Sequence, residues 1–167
     1  MGDAVMIRCP QAGDAVRLGV EIAEEVGRRD RFPSIRVGMH TGPATDRGGD
    51  YFGAAVNVAA RVAGLAPGGQ VLITAATRQA AGELEGVGTR ELGPQKLRNV
   101  SEPVVLFRAR GAAEPSAELP IDPVCRMAVE PESSAGVLQH GGIEFHFCSL
   151  ECVRAFAADP ERYSSGR

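Results

Sequence analysis

The chain has 167 residues, 44% apolar and 23% charged, with a formal net charge of −3; this is the composition of a folding globular protein, not of a disordered, collagenous or membrane-embedded one. Its 21 acidic residues outnumber 18 basic ones, so there is no basic surplus to meet a phosphate backbone, and nucleic acid is not an expected partner. No stretch reaches the ~18 apolar residues of a membrane span, and the N-terminus lacks the basic-then-apolar layout of a signal peptide. The expected location is cytoplasmic, where four cysteines are more readily thiols or metal ligands than disulfides.

In chain order, residues 4–8 read as a short apolar strand. A helix is expected over 14–26, where Ala15, Leu18, Ile22 and Val26 recur at helical spacing. After Pro33, the alternation of Ile35, Val37 and Met39 with Arg36 and Gly38 predicts a half-buried strand over 34–40. Asp46-Arg47-Gly48-Gly49 signals a turn, 54–65 a helix of small residues, and 71–74 a strand followed by a short helix. Strands over 88–92 and 104–108 complete the alternation, which fits a sheet covered by helices in an α+β layer. Residues 109–120 have no hydrophobic period and the small, Pro-containing makeup of a linker. The tail beyond it has only about 45 residues, a size at which a hydrophobic core alone seldom suffices and a metal or disulfides make up the deficit. Cys125, Cys148 and Cys152 crowd into this tail, while Cys9 reads as a core residue.

Two constellations carry chemistry. Asn57 and Arg61 stand four residues apart on one face of the 54–65 helix, with Asp50 two turns earlier. A guanidinium beside a carboxamide can hydrogen-bond a sugar oxygen and a phosphoryl oxygen together and stabilise charge developing at phosphorus. The same pattern also fits a solvated face with a salt bridge. In the tail, Cys148 and Cys152 at a spacing of four on a helix project to one side. Cys125, from a preceding loop, could complete a three-thiolate face for a soft or borderline cation. The alternative is three buried, reduced cysteines that fill a small core with Phe147 and Phe156.

Taken in order, Met1-Gly2-Asp3-Ala4-Val5-Met6, Ile35-Arg36-Val37-Gly38-Met39-His40-Thr41-Gly42, Gly49-Asp50-Tyr51-Phe52-Gly53, Val56-Asn57 and Ala60-Arg61 resemble a class III nucleotidyl cyclase catalytic domain. Gly69-Gln70-Val71-Leu72-Ile73 and Leu97-Arg98-Asn99-Val100-Ser101-Glu102-Pro103-Val104 look like that family's later strands. The resemblance covers residues 1–108 and implies a partial ferredoxin-like sheet. It further implies that Asp3 is a metal-binding aspartate for magnesium or manganese, and that Asn57 and Arg61 are the transition-state pair. Asp50 would select the adenine of ATP, and Arg98, or else Lys96, would contact the terminal phosphates. The implied reaction is attack of the ribose 3′-hydroxyl on the α-phosphorus, giving cyclic AMP and pyrophosphate at a site shared across a homodimer.

The family pattern has a strand bearing a first metal aspartate, two helices and a strand bearing an adenine-selecting lysine before the Gly-Asp turn. This sequence starts one residue before that turn. The expectation is therefore that Met1 is an internal methionine and that the chain as written does not cyclise ATP.

Residues 121–163 resemble a YHS domain, a small TRASH-like module related to heavy-metal-binding cysteine motifs. The residues that carry this are Asp122-Pro123-Val124-Cys125-Arg126-Met127, Phe145-His146-Phe147-Cys148-Ser149-Leu150-Glu151-Cys152, Phe156, Asp159-Pro160 and Tyr163. Arg126 stands where the family usually has glycine, and Phe145-His146-Phe147 replaces a tyrosine-rich run. The implied ligands are Cys125, Cys148 and Cys152 for zinc or copper, with His146 or Asp122 as the fourth. Two functions follow: a cyclase-type signalling protein fused to a metal-binding module, or a catalytically dead cyclase remnant that serves as a metal sensor or carrier.

Overall fold

The protein is described by a computed structural model, which covers residues 4–112 and 119–164. Helix α1 (Ala12–Gly27) is followed by β1 (Val37–Met39), the hairpin β2 (Thr45–Arg47) and β3 (Asp50–Phe52), and helix α2 (Ala54–Leu65). Then come β4 (Val71–Thr74), α3 (Ala75–Ala81), β5 (Val87–Gln95) and β6 (Val104–Gly111). The C-terminal unit has a hairpin of β7 (Gly136–His140) and β8 (Ile143–Phe147), then α4 (Leu150–Ala158) and α5 (Pro160–Ser164).

The main sheet has the order β1-β4-β6-β5, with β1 parallel to β4 and the other pairs antiparallel. All four residues of β4 are buried, as a strand covered on both faces requires. Its alternation sorts the core into two layers. Val71 and Ile73 pack with Val16, Val20 and Ala23 of α1, whereas Leu72 packs with Val62 and Ala66 at the C-terminal end of α2, together with Leu97 and Leu106. Helix α2 approaches β1 closely because Gly38 has no side chain: a Cβ there would overlap the backbone of Ala59 and Ala63. In the C-terminal unit, Phe145, Phe147, Cys152 and Phe156 form a separate core, with the Phe156 ring centroid 4.8 Å from that of Phe145 and 5.2 Å from that of Phe147.

The expected helix at 54–65 and strand at 71–74 are observed with those bounds. Four expectations are corrected. Residues 4–8 form no strand: Val5 and Ile7 are exposed, and the segment finds no ladder partner among the described residues, so apolar character alone does not make it a strand. Cys9, at its end, is half-buried rather than a core residue. The strand expected over 34–40 shrinks to the three residues of β1. Finally, β6 continues through Gly111, whose N–H donates to Glu24 Oε1 of α1 at 2.8 Å, so the first three residues of the expected linker belong to the sheet. Of the rest of that stretch, 113–118 lie outside the described residues.

The two units meet through backbone. The Arg31 N–H donates to the Ala128 carbonyl at 2.8 Å, the Ala128 N–H to the Phe32 carbonyl at 2.9 Å, and the Ser34 N–H to the Arg126 carbonyl at 2.9 Å.

Candidate functional site

On the N-terminal unit, α2 turns Ala55 and Val62 inward and leaves Asn57 exposed one turn before the half-buried Arg61. Arg61 Nη1 donates to the Asn99 carbonyl at 3.4 Å; Asn99 adopts the left-handed conformation, φ 55°. This contact joins α2 to the 96–100 loop. The buried Leu97 anchors that loop beneath α2, and its neighbours Lys96 and Arg98 are held outside, exposed. Asp50 opens β3, paired with Arg47 across the hairpin, and β3 runs through Gly53 straight into α2. Asp50, Asn57, Arg61, Lys96 and Arg98 thus sit on adjoining elements. Asp3 lies outside the described residues.

His40, at the end of β1, serves the sheet: its Nδ1 is 2.9 Å from Thr74 Oγ1, which in turn lies 3.2 Å from Thr77 Oγ1. Burial pushes the pKa of His40 below the ordinary imidazole value.

On the C-terminal unit, Cys125, Cys148 and Cys152 converge. Cys125 Sγ is 3.3 Å from Cys148 Sγ, and Cys148 Sγ is 3.9 Å from Cys152 Sγ. With an oxygen of Asp122, the ligand atoms all lie within 4.8 Å of one another. Cys125 is exposed and Cys148 half-buried; only Cys152 is buried. The three do not simply fill a core. Cys148 precedes α4 instead of lying on it, and Ser149 between the two caps the helix by accepting the Cys152 N–H at 3.2 Å.

Asp122 organises the cluster. Fully buried, it accepts on Oδ1 from the N–H of Val124 at 2.8 Å and of Cys125 at 3.3 Å, and on Oδ2 from the N–H of Cys148 at 2.9 Å. The first of these is an Asx turn, a device that Asp-Pro-Val in the sequence could have signalled. One carboxylate thereby fixes both cysteine-bearing loops. Burial pushes its pKa up, but the N–H groups of Cys148 and Val124 and the neighbouring thiols outweigh that, so the carboxyl stays below its usual range. Burial, the largest cause, raises the Cys125 and Cys148 thiols above theirs.

His146 does not join the cluster: its Nε2 lies 3.1 Å from Glu144 Oε1, on the strand whose alternate residues Phe145 and Phe147 enter the core. The donor set is thus three soft sulfurs around a carboxylate whose oxygens are already engaged. Such a set fits a soft or borderline cation.

Comparison with known proteins agrees with this division. The YHS domain family matches residues 121–167. The C-terminal unit is a YHS domain. A copper-transporting P-type ATPase of Rhizobium leguminosarum bv. viciae is 46% identical over 46 residues, a span the size of the YHS domain, covering 28% of this chain and 6% of the ATPase. A pH-sensitive adenylate cyclase of Mycobacterium tuberculosis is 40% identical over 116 residues, covering 68% of this chain and 29% of that protein. Among solved structures, an adenylate/guanylate cyclase/hydrolase from Silicibacter pomeroyi superposes with a TM-score of 0.54 at 26% identity, covering 64% of this chain and 66% of its own. The part preceding the YHS domain has the fold of class III cyclase domains. The chain spans no more than a third of the length of the first adenylate cyclases it matches.

Proposed function

We propose that residues 1–108 work as part of a class III cyclase domain that forms cyclic AMP and pyrophosphate from ATP across a homodimer, while the module over 121–163 holds zinc or copper. The contact of Arg61 with the loop bearing Lys96 and Arg98 carries the first half of this reading. It sets a guanidinium one turn from Asn57 and against the loop that bears two further cations, a grouping suited to a polyphosphate. In this reading Asn57 and Arg61 orient the ribose and the α-phosphoryl group, Asp50 accepts from the adenine amino group, and Arg98 or Lys96 meets the terminal phosphates. Asp3 would hold magnesium or manganese, which when bound supplies neutralisation of the phosphate charge.

Calorimetry with ATP and Mn²⁺ tests the face: Arg61→Ala should weaken binding at least about tenfold, the scale of one charge-assisted phosphate contact. Unchanged affinity refutes the assignment. The shared site is tested by mixing an Asp3→Ala chain with an Asn57→Ala chain, each carrying the strands and helices that the family pattern has before the Gly-Asp turn. Cyclic AMP formation above that of either variant alone supports it, and formation no greater than theirs counts against it.

A second reading, a catalytically silent cyclase remnant that acts as a metal sensor or carrier, is favoured by the contrast between the ordered thiol cluster and the open face of α2. It predicts metal binding with no cyclic AMP formation under any pairing of chains.

A further inference from the structure

We infer that a cation held by Cys125, Cys148 and Cys152 is felt by the N-terminal unit through the strand-like segment 126–130, which is shared by both units. This rests on the proposed metal-binding reading of the cluster. The segment is the middle of three antiparallel pieces of backbone. On one side it pairs with 120–122: the Asp122 N–H donates to the Met127 carbonyl and the Val129 N–H to the Pro120 carbonyl, each at 2.8 Å, with Ile121 opposite Ala128. On the other side it pairs with 31–34, Pro33 opposite Met127, through the three hydrogen bonds from Arg31, Ala128 and Ser34. The Glu130 N–H extends this junction by donating to Asp30 Oδ1 at 2.9 Å. Ala128 and Val129 are buried within it.

The ligands are tied to this ladder at its near end. Cys125 is bonded directly to Arg126, and the Arg126 N–H closes the turn by donating to the Asp122 carbonyl at 2.9 Å. The Asp122 carboxylate then links that turn to Cys148. At the far end, Ser34 leads into Ile35, whose carbonyl accepts from the Gly69 N–H at 2.7 Å, and on to β1, against which α2, the helix that bears Asn57 and Arg61, is packed through Ala59 and Ala63. Few residues separate the thiols from the proposed nucleotide face, and every step is a covalent bond, a backbone hydrogen bond or a close packing contact.

Arg126 marks the junction. It is a non-glycine residue with φ 68°, a conformation that costs energy for any side chain with a Cβ. Its Nη2 lies 3.7 Å from where a Cβ of Gly68 would be, in the turn leading into β4, while Ser34 Oγ occupies the space that such a Cβ would need. An arginine is therefore kept in a strained position where its guanidinium reaches across to the other unit.

Before a cation binds, the turn bearing the exposed Cys125 is closed only by hydrogen bonds. Coordination adds a constraint that any opening of that turn must break. Amides whose exchange requires the same opening then exchange more slowly, wherever they lie in the sequence.

Hydrogen exchange of the full chain, with and without saturating cadmium(II), tests this, the sulfur-to-cadmium absorbance reporting binding independently. The amides of Arg31, Ser34 and Ala128 are expected to slow at least about tenfold on saturation, those of β5 to change little, and Cys125→Ser to abolish the slowing. If the absorbance appears but Arg31 and Ser34 exchange as before, or all amides slow alike, the coupling is refuted while the metal site stands. If no absorbance appears, the metal-binding reading fails, and the inference with it.

Discussion

The thiol cluster and the polar face of α2 are built on opposite plans. At the cluster, one buried carboxylate ties three backbone N–H groups from two loops and brings three sulfurs together. Around α2, Asn57 of the helix, Lys96 and Arg98 of the 96–100 loop and Asp50 of β3 are exposed, and a hydrogen bond of 3.4 Å from Arg61 to the Asn99 carbonyl joins helix and loop. A preorganised site needs only its ligand; an open, cationic face needs a second surface or a polyanionic ligand to define it. The contrast separates a cluster braced from within from a polar face that has no such brace.

Substitutions can break this comparison. The largest effect is expected for Asp122→Ala, which leaves three N–H groups without their acceptor in a buried place. At about 1–3 kcal/mol for each buried group left unsatisfied, the C-terminal unit should lose about 3 kcal/mol or more, with loss of cadmium absorbance. A melt within error of the parent would show that the carboxylate does not hold the loops. Gly38→Ala should follow, at about 1–3 kcal/mol of overpacking, because the added methyl meets the backbone of α2; thermal unfolding of the N-terminal unit reads this.

Acidity sharpens the contrast. Cys125 and Cys148 are held above the ordinary thiol pKa, so the stability of the metal-free unit from these groups is fully present below about pH 8.5 and is lost as pH rises through their raised values. Asp122, held low, contributes above about pH 3.9, and that contribution is lost as pH falls through its depressed value. Since a cation must displace the thiol protons, cadmium affinity should climb steadily with pH across the neutral range. Flat affinity would mean that the thiols are not the ligands. Chelation should lower the melting temperature of a metal-loaded sample and leave a Cys125→Ser sample unmoved.

The smallest effect is expected for Arg61→Ala, within about 0.5 kcal/mol in stability because it removes a single long surface hydrogen bond. A large loss there would recast Arg61 as a structural residue that pins the 96–100 loop.

Much of the framework was legible in local pattern. The strand expected over 71–74 is observed there, though the sequence did not foretell that Val71 and Ile73 would face α1 while Leu72 faces α2. The spacing of Cys125, Cys148 and Cys152 foretold a cluster, but His146 as its fourth member was set aside by a strand register that turns Phe145 and Phe147 inward.

The sequence by itself determined the helix of Asn57 and Arg61, the buried strand beside it and the three thiols of the tail, because these depend on residues two to four positions apart or on side-chain chemistry that travels with the residue. Only the tertiary structure decided that Asp122 spends its oxygens on backbone, that 4–8 pairs with no strand among the described residues, and that 126–130 lies against 31–34. Hydrogen bonds between residues nearly a hundred positions apart leave no period in the chain; they exist only once both partners are folded and water has been displaced from between them.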